Sequence, residues 1–123
     1  MKQNSKYLFD FEKLNVYQKA VNFSNEIYIV TKGFPKEERF GLQNQLIRSA
    51  NSVSLNIAEG SSYKKGAFKD FLRRARGSAY ECVPCLRIAQ RRNYINEENF
   101  LKLYSELQII SKMISALISS LDA

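Results

Sequence analysis

The chain contains no histidine. That removes the commonest general base and the commonest metal ligand. Ser-His-Asp, Cys-His and histidine-based metal chemistry are therefore excluded within this chain. Only five glycines and two prolines interrupt it, and no stretch alternates apolar and polar residues for long. Strands are therefore not predicted, and nearly everything reads as helix. The two cysteines, both inside a helical pattern, fit a reducing compartment. No apolar run approaches the roughly 18 residues of a membrane span. The opening MKQNSKYLFDFEK has neither an apolar h-region nor a small-residue cleavage site. The expectation is a cytoplasmic protein that makes no use of a membrane.

What the chain does have is misplaced positive charge. Residues 64–92 carry nine Lys/Arg (Lys64, Lys65, Lys69, Arg73, Arg74, Arg76, Arg87, Arg91, Arg92) against Asp70 and Glu81. The remaining ten basic and ten acidic residues cancel, so this one stretch accounts for the whole net charge of +7. Spread evenly, such a charge would speak only of solubility. Concentrated, it outlines a surface, and its natural partner is a polyanion, most commonly nucleic acid.

Apolar spacing predicts four helices in one domain over residues 10–123, after a tail over 1–9. The first runs from about Leu14 to Lys32, with Val16, Ala20, Phe23, Ile27 and Val30 on one face. Gly33 and Pro35 end it, Gly33 as a C-cap. The second runs from about Arg39 or Gly41 to Ala58, with Leu42, Leu46, Ala50, Val53 and Ile57 inward and Gly60 as its stop. The third spans about Ala67 to Arg92, with a weak start signal at Ser62 or Gly66. The fourth is capped by Asn96, with Glu97 and Glu98 set against the dipole. Short connections between long helices predict an all-α, up-down four-helix bundle. Leu101, Ile109 and Met113 lie off the main stripe of the fourth helix. Tyr17, Val21 and Tyr28 flank that of the first. A second apolar strip predicts contact between subunits.

Two adjoining segments are distinctive: SANSVSLNIAEG (Ser49 to Gly60) and FKDFLRRARGSAYE (Phe68 to Glu81). Together with LNVYQKA (Leu14 to Ala20) and FPKEERFGLQNQLIRSA (Phe34 to Ala50), they resemble the bacterial 23S rRNA-intervening-sequence proteins, also called S23 ribosomal proteins. The resemblance covers about residues 10–121. It implies an up-down four-helix bundle, commonly assembled as a homopentameric ring. It also implies association with nucleic acid and with nucleic-acid-processing proteins such as reverse transcriptases, and no established enzymatic activity. The chain departs from the family in two places. CVPC (Cys82 to Cys85) puts Pro84 inside the third helix, and SSYKKGAF replaces a Gly-Arg-Arg-Ser type of sequence.

Three constellations carry candidate chemistry. At 100° per residue, Lys65, Lys69, Arg73, Arg76, Arg87 and Arg91 fall within about 80° of one another, with Tyr80 on the same line. With Lys64 before them they form a candidate face for RNA or DNA phosphates, and most have no acidic partner at i,i+4. Cys82 and Cys85 read as small core residues, because a redox C-x-x-C belongs at a helix N-terminus after a strand. Gln45, Arg48, Asn56, Glu59, Ser78 and Glu81 form a polar block. It is expected to be structural, with Arg48 on a carboxylate and Asn56 or Ser78 on backbone. Acid-base or metal work by Glu59 and Glu81 is the lesser alternative. The expected function is a non-enzymatic oligomer binding nucleic acid, with no cofactor or metal. The rival is a scaffold that recruits a protein partner.

Overall fold

A computed structural model describes residues 9–122. After a 3₁₀ turn over Asp10–Lys13 come α1 (Asn15–Thr31), α2 (Leu42–Gly60), α3 (Lys65–Arg91) and α4 (Glu97–Ser120). No strand occurs among the described residues. Of the tail expected over 1–9, only Phe9 is described.

Each helix buries the face its spacing predicts. Val16, Ala20, Phe23 and Ile27 of α1 meet Leu46, Ala50, Val53 and Ile57 of α2 in one core. α3 contributes Leu72, Ala75, Ala79, Cys82, Leu86 and Ala89, and α4 contributes Phe100, Leu103, Leu107, Ile110 and Ile114. The direction of the helices follows from who meets whom. Ser49 meets Glu81 and Ser52 meets Ser78, so α2 and α3 run antiparallel. Lys69 meets Asp122, Arg76 meets Ser115 and Arg87 lies over Phe100, so α3 and α4 do the same. Small residues on the facing sides of α2 and α3, among them Ser49, Ala50, Ala75 and Ala79, let these two helices approach closely.

The helix ends differ from expectation in an instructive way. Neither Gly33 nor Gly60 is left-handed; the only residue with positive φ among those described is Asn93, at 64°. Asn93 ends α3, and the Tyr94 N–H then closes back on the Ala89 carbonyl at 2.8 Å. α1 instead ends by tightening, with Gly33 N–H donating to Val30 and Phe34 N–H to Thr31. Gly60 is the last residue of α2 and is buried against Phe71. α3 starts at Lys65, so neither Ser62 nor Gly66 caps it, and no side chain caps its first turn. α2 lacks a capping side chain at Gly41, and Glu38 substitutes by accepting the Leu42 N–H at 3.1 Å. The expected Asn96 cap is present, with Oδ1 accepting the Asn99 N–H at 2.7 Å. α3 runs through Pro84 without interruption.

Candidate nucleic-acid interface

Three cations of α3, Lys69, Arg76 and Arg87, meet α4 along one edge of the helix, whereas Arg74 lies over the Phe71 ring. Lys69 pairs with Asp122 at 2.5 Å, and Arg76 donates to Ser115 Oγ at 3.0 Å. The Arg87 guanidinium lies 4.4 Å over the Phe100 ring and 5.7 Å from that of Tyr104, and also donates to Gln90 Oε1. Arg73 pairs with Asp70, one turn away, at 2.9 Å. Lys69 and Arg73 thus have acidic partners, though neither at the i,i+4 spacing considered in the sequence. Asp122 lies too far along the chain for any local pattern to reveal it. Lys69 holds the Asp122 carboxyl below its usual range by hydrogen bond and by charge. Exposed pairs of this kind contribute little and are screened by salt, so the lysine remains exchangeable with a phosphate. Lys64, Lys65 and Arg91 are exposed and have no ion pair or side-chain hydrogen bond among the described residues.

Between Arg76 and Arg87 the seam opens into a groove of about 240 Å³. Tyr80 and Val83 of α3 form one wall; Tyr104, Leu107, Ser111 and Lys112 of α4 form the other. Tyr80 is 61% exposed. Lys112, outside the basic segment in sequence, thus stands beside Tyr80 in space. Lys112, Tyr104 and Ser115 are the interface residues that sequence reasoning misses. Finding them takes the register of α4 on α3, which no pattern within α4 encodes.

The polar block divides. Gln45, Arg48, Ser78 and Glu81 line a second groove, of about 540 Å³, between α2 and α3, with Phe40 and Asn44 at its mouth. Ser49 Oγ donates to Glu81 Oε1 at 3.1 Å, and Ser78 Oγ donates to Ser52 Oγ at 2.9 Å. Asn56 Nδ2 donates to the Ser52 carbonyl at 2.8 Å. The expected Arg48–carboxylate pair is not among the ion pairs of the described residues; Glu81 accepts from Ser49. Glu59 stands apart: it is exposed in the last turn of α2, about 15 Å along the helix from Ser49. The Glu59–Glu81 pair contemplated for acid-base work is therefore not assembled.

Cys82 and Cys85 are free thiols buried in the core. Burial, with the neighbouring Cys85 and Glu81, pushes the Cys82 thiol up to about 12. Burial raises Cys85 as well, followed by the charge of Glu81. Neither supplies thiolate near neutral pH. Among the described residues no group of three or more His, Cys, Asp or Glu side chains is placed to hold a metal.

The opposite seam, between α1 and α4, has a different chemistry. Glu106 sits part-buried near Glu26, and burial, then the charge of Glu26, holds its carboxyl above the usual range. Lys102 approaches Glu26 at 3.9 Å. Of the six apolar residues expected on subunit-facing strips, Val21, Tyr28, Leu101 and Ile109 are exposed. Met113 and Tyr17 instead pack on the core, and Tyr17 meets Phe11 edge-on at 5.1 Å.

These features define an all-helical domain of four helices, with Lys69, Arg76, Arg87 and Lys112 along the seam between α3 and α4. Its family is equally plain: the family model "23S rRNA-intervening sequence protein" matches residues 12–116, and the chain belongs to that family. A crystal structure of a protein of unknown function from the S23 ribosomal protein family of Bacteroides thetaiotaomicron shares the fold, with a TM-score of 0.78. It is 25% identical, and the match covers 84% of this chain and 97% of that one. No curated protein matches. Among the described residues no helix is long and apolar enough to cross a membrane.

Proposed function

We propose that the protein is a non-enzymatic homo-oligomer that binds RNA or DNA phosphates through α3, the Lys64 turn before it and the facing edge of α4. One observation carries this reading. All of the net charge belongs to residues 64–92, and Lys69, Arg76 and Arg87 of that stretch meet α4 along a seam that also holds Lys112. Nucleic-acid affinity is dominated by such phosphate contacts. The family's name, which refers to a 23S rRNA intervening sequence, agrees with an RNA-related role. Exposed Val21, Tyr28, Leu101 and Ile109 supply apolar surface for a homopentamer, which would repeat the seam and multiply weak contacts.

The test is a fluorescence-anisotropy titration of labelled RNA and DNA at low salt. Replacing the exposed Lys64, Lys65, Arg73 and Arg91 together by Glu should abolish binding with helicity unchanged. Lys69 and Arg76 are poor choices for that purpose, because they also tie α3 to α4. Replacing Lys19 and Lys102, exposed on the α1–α4 side, should change binding little. Wild-type protein that binds neither nucleic acid would refute the proposal. The seam would then pass to the rival reading, a scaffold for an acidic protein partner, which the apolar groove beside the cations favours.

A further inference from the structure

The groove between Arg76 and Arg87 is the one place on the basic seam that is not basic. Its walls are the rings of Tyr80 and Tyr104 with Val83 and Leu107, and its polar rim is Gln108, Ser111 and Lys112. At about 240 Å³ it is smaller than an ordinary ligand pocket of ~300–1,000 Å³. A partner helix would not seat in it, whereas one planar ring would.

Its surroundings say which kind of ring. Arg76 and Arg87 stand about 16 Å apart along the axis of α3, one at each end of the groove. Both are already held: Arg76 by Ser115, and Arg87 by the faces of Phe100 and Tyr104. Guanidinium groups fixed in this way lose little further freedom on meeting a phosphate, and each still has N–H donors to offer. Lys112 adds a third cation at the rim. An apolar slot with cations at both ends complements an aromatic ring carried on a polyanionic chain. A nucleobase on its sugar-phosphate backbone has that pattern, and an acidic peptide matches it only when an aromatic residue happens to lie between its carboxylates.

Pro84 adds a further feature. It lies one turn after Tyr80, and both are exposed. Having no N–H, it leaves the Tyr80 carbonyl without its intrahelical donor. That carbonyl is thereby left to solvent or to a ligand's donor.

The geometry points to a binding site for one unstacked nucleobase, with Tyr80 as its stacking platform, so that the protein prefers single-stranded nucleic acid to duplex. This inference rests on the phosphate-binding reading and adds to it. In a duplex each base face is covered by its neighbours and its edge is paired, so nothing is free to enter the slot. A single strand can splay a base out onto an aromatic side chain.

The experiment separates bases from phosphates. Wild-type protein is titrated at one low salt concentration with a labelled single strand, with a strand of the same length made of abasic sites, and with a duplex. All three carry phosphates, but only the first offers a free base. The normal strand should bind more tightly than either of the others. Tyr80→Ala should weaken normal-strand binding by about 5- to 150-fold, the usual range for a lost base-aromatic stack. It should leave abasic binding and the salt slope unchanged, since it removes no phosphate contact. Tyr80→Phe should bind as wild type does. Equal binding of normal and abasic strands by the wild type would overturn the base site while leaving phosphate binding intact. Preference for the duplex would overturn it too. Binding of no strand would overturn both this inference and the reading beneath it. The comparison of strands needs only wild-type protein, so it does not depend on the folding of any variant.

Discussion

At Gly60 the fold leaves no room for a side chain. A Cβ there would lie 2.4 Å from Phe71 Cβ and 3.1 Å from the Phe68 ring. The first of these atoms is fixed to the backbone of α3 and cannot swing aside. Gly60→Ala gains about 1 kcal/mol of helix propensity, but overpacking costs about 1–3 kcal/mol. The clash should win, and the denaturation midpoint should fall with an unchanged m-value. That Gly60 matters is legible in the sequence; the reason is not. A glycine after a helical run reads as a left-handed cap, and only the packing of α3 shows a close approach instead. The buried cysteines are the opposite case, since their place on the apolar side of α3 is read correctly from spacing. The Cys82 thiol is raised from 9.0 to about 12 in the folded protein. Between those values the folded state holds its proton while the unfolded chain has lost it. Its stabilising contribution is therefore complete below pH 9 and is lost as pH rises towards 12, at up to about 1.4 kcal/mol per pH unit. Equilibrium unfolding of wild type and Cys82→Ala across that range should show the steeper loss in the wild type. A native-state thiol probe should label neither cysteine at neutral pH.

At the scale of elements, α3 extends over Lys65–Arg91 with a proline inside it. Pro84 removes one hydrogen bond from the ladder and crowds the carbonyl of Tyr80, which ordinarily costs up to about 3 kcal/mol against Ala. Pro84→Ala should therefore raise the melting temperature, as followed by circular dichroism. A drop would mean that neighbouring contacts are built around the proline ring. The four helices are legible because each buries a stripe with a period near 3.6, and their ends fall within a few residues of expectation. The basic stripe is legible for the same reason. What could not be read is what the stripe faces. The Lys69–Asp122 and Arg76–Ser115 contacts depend on how α4 slides against α3, and that register is set by interlocking of the two apolar faces. For the same reason Lys112, an indifferent surface lysine in sequence, becomes part of the groove. The Glu38 cap of α2 was equally hidden. Its carboxylate also accepts from the Tyr94 hydroxyl at 2.9 Å, and Tyr94 lies beyond α3. The Leu42 N–H, then Tyr94, hold the Glu38 carboxyl below its usual range. Its contribution to stability is thus present at neutral pH and is lost as pH falls through that lowered value.

For the whole molecule, charge is partitioned between seams. The α3–α4 seam gathers arginine and lysine, whereas the α1–α4 seam holds Glu26 and Glu106 with Lys102. An oligomer that turned the exposed apolar residues Val21, Tyr28, Leu101 and Ile109 inward would leave cationic seams outward. Native mass spectrometry at micromolar concentration should show a single assembly, expected to be a pentamer, and a clean monomer would remove that part of the proposal. Salt dependence of binding tests the central claim most directly. The affinity of wild type for a single strand is measured from low to high salt and repeated as Lys64, Lys65, Arg73 and Arg91 are neutralised to Gln one at a time. If the seam grips phosphates, log K falls linearly with log salt, and each loss of a contact flattens the slope by about 0.7. A slope near zero, or one that no neutralisation changes, would contradict the account.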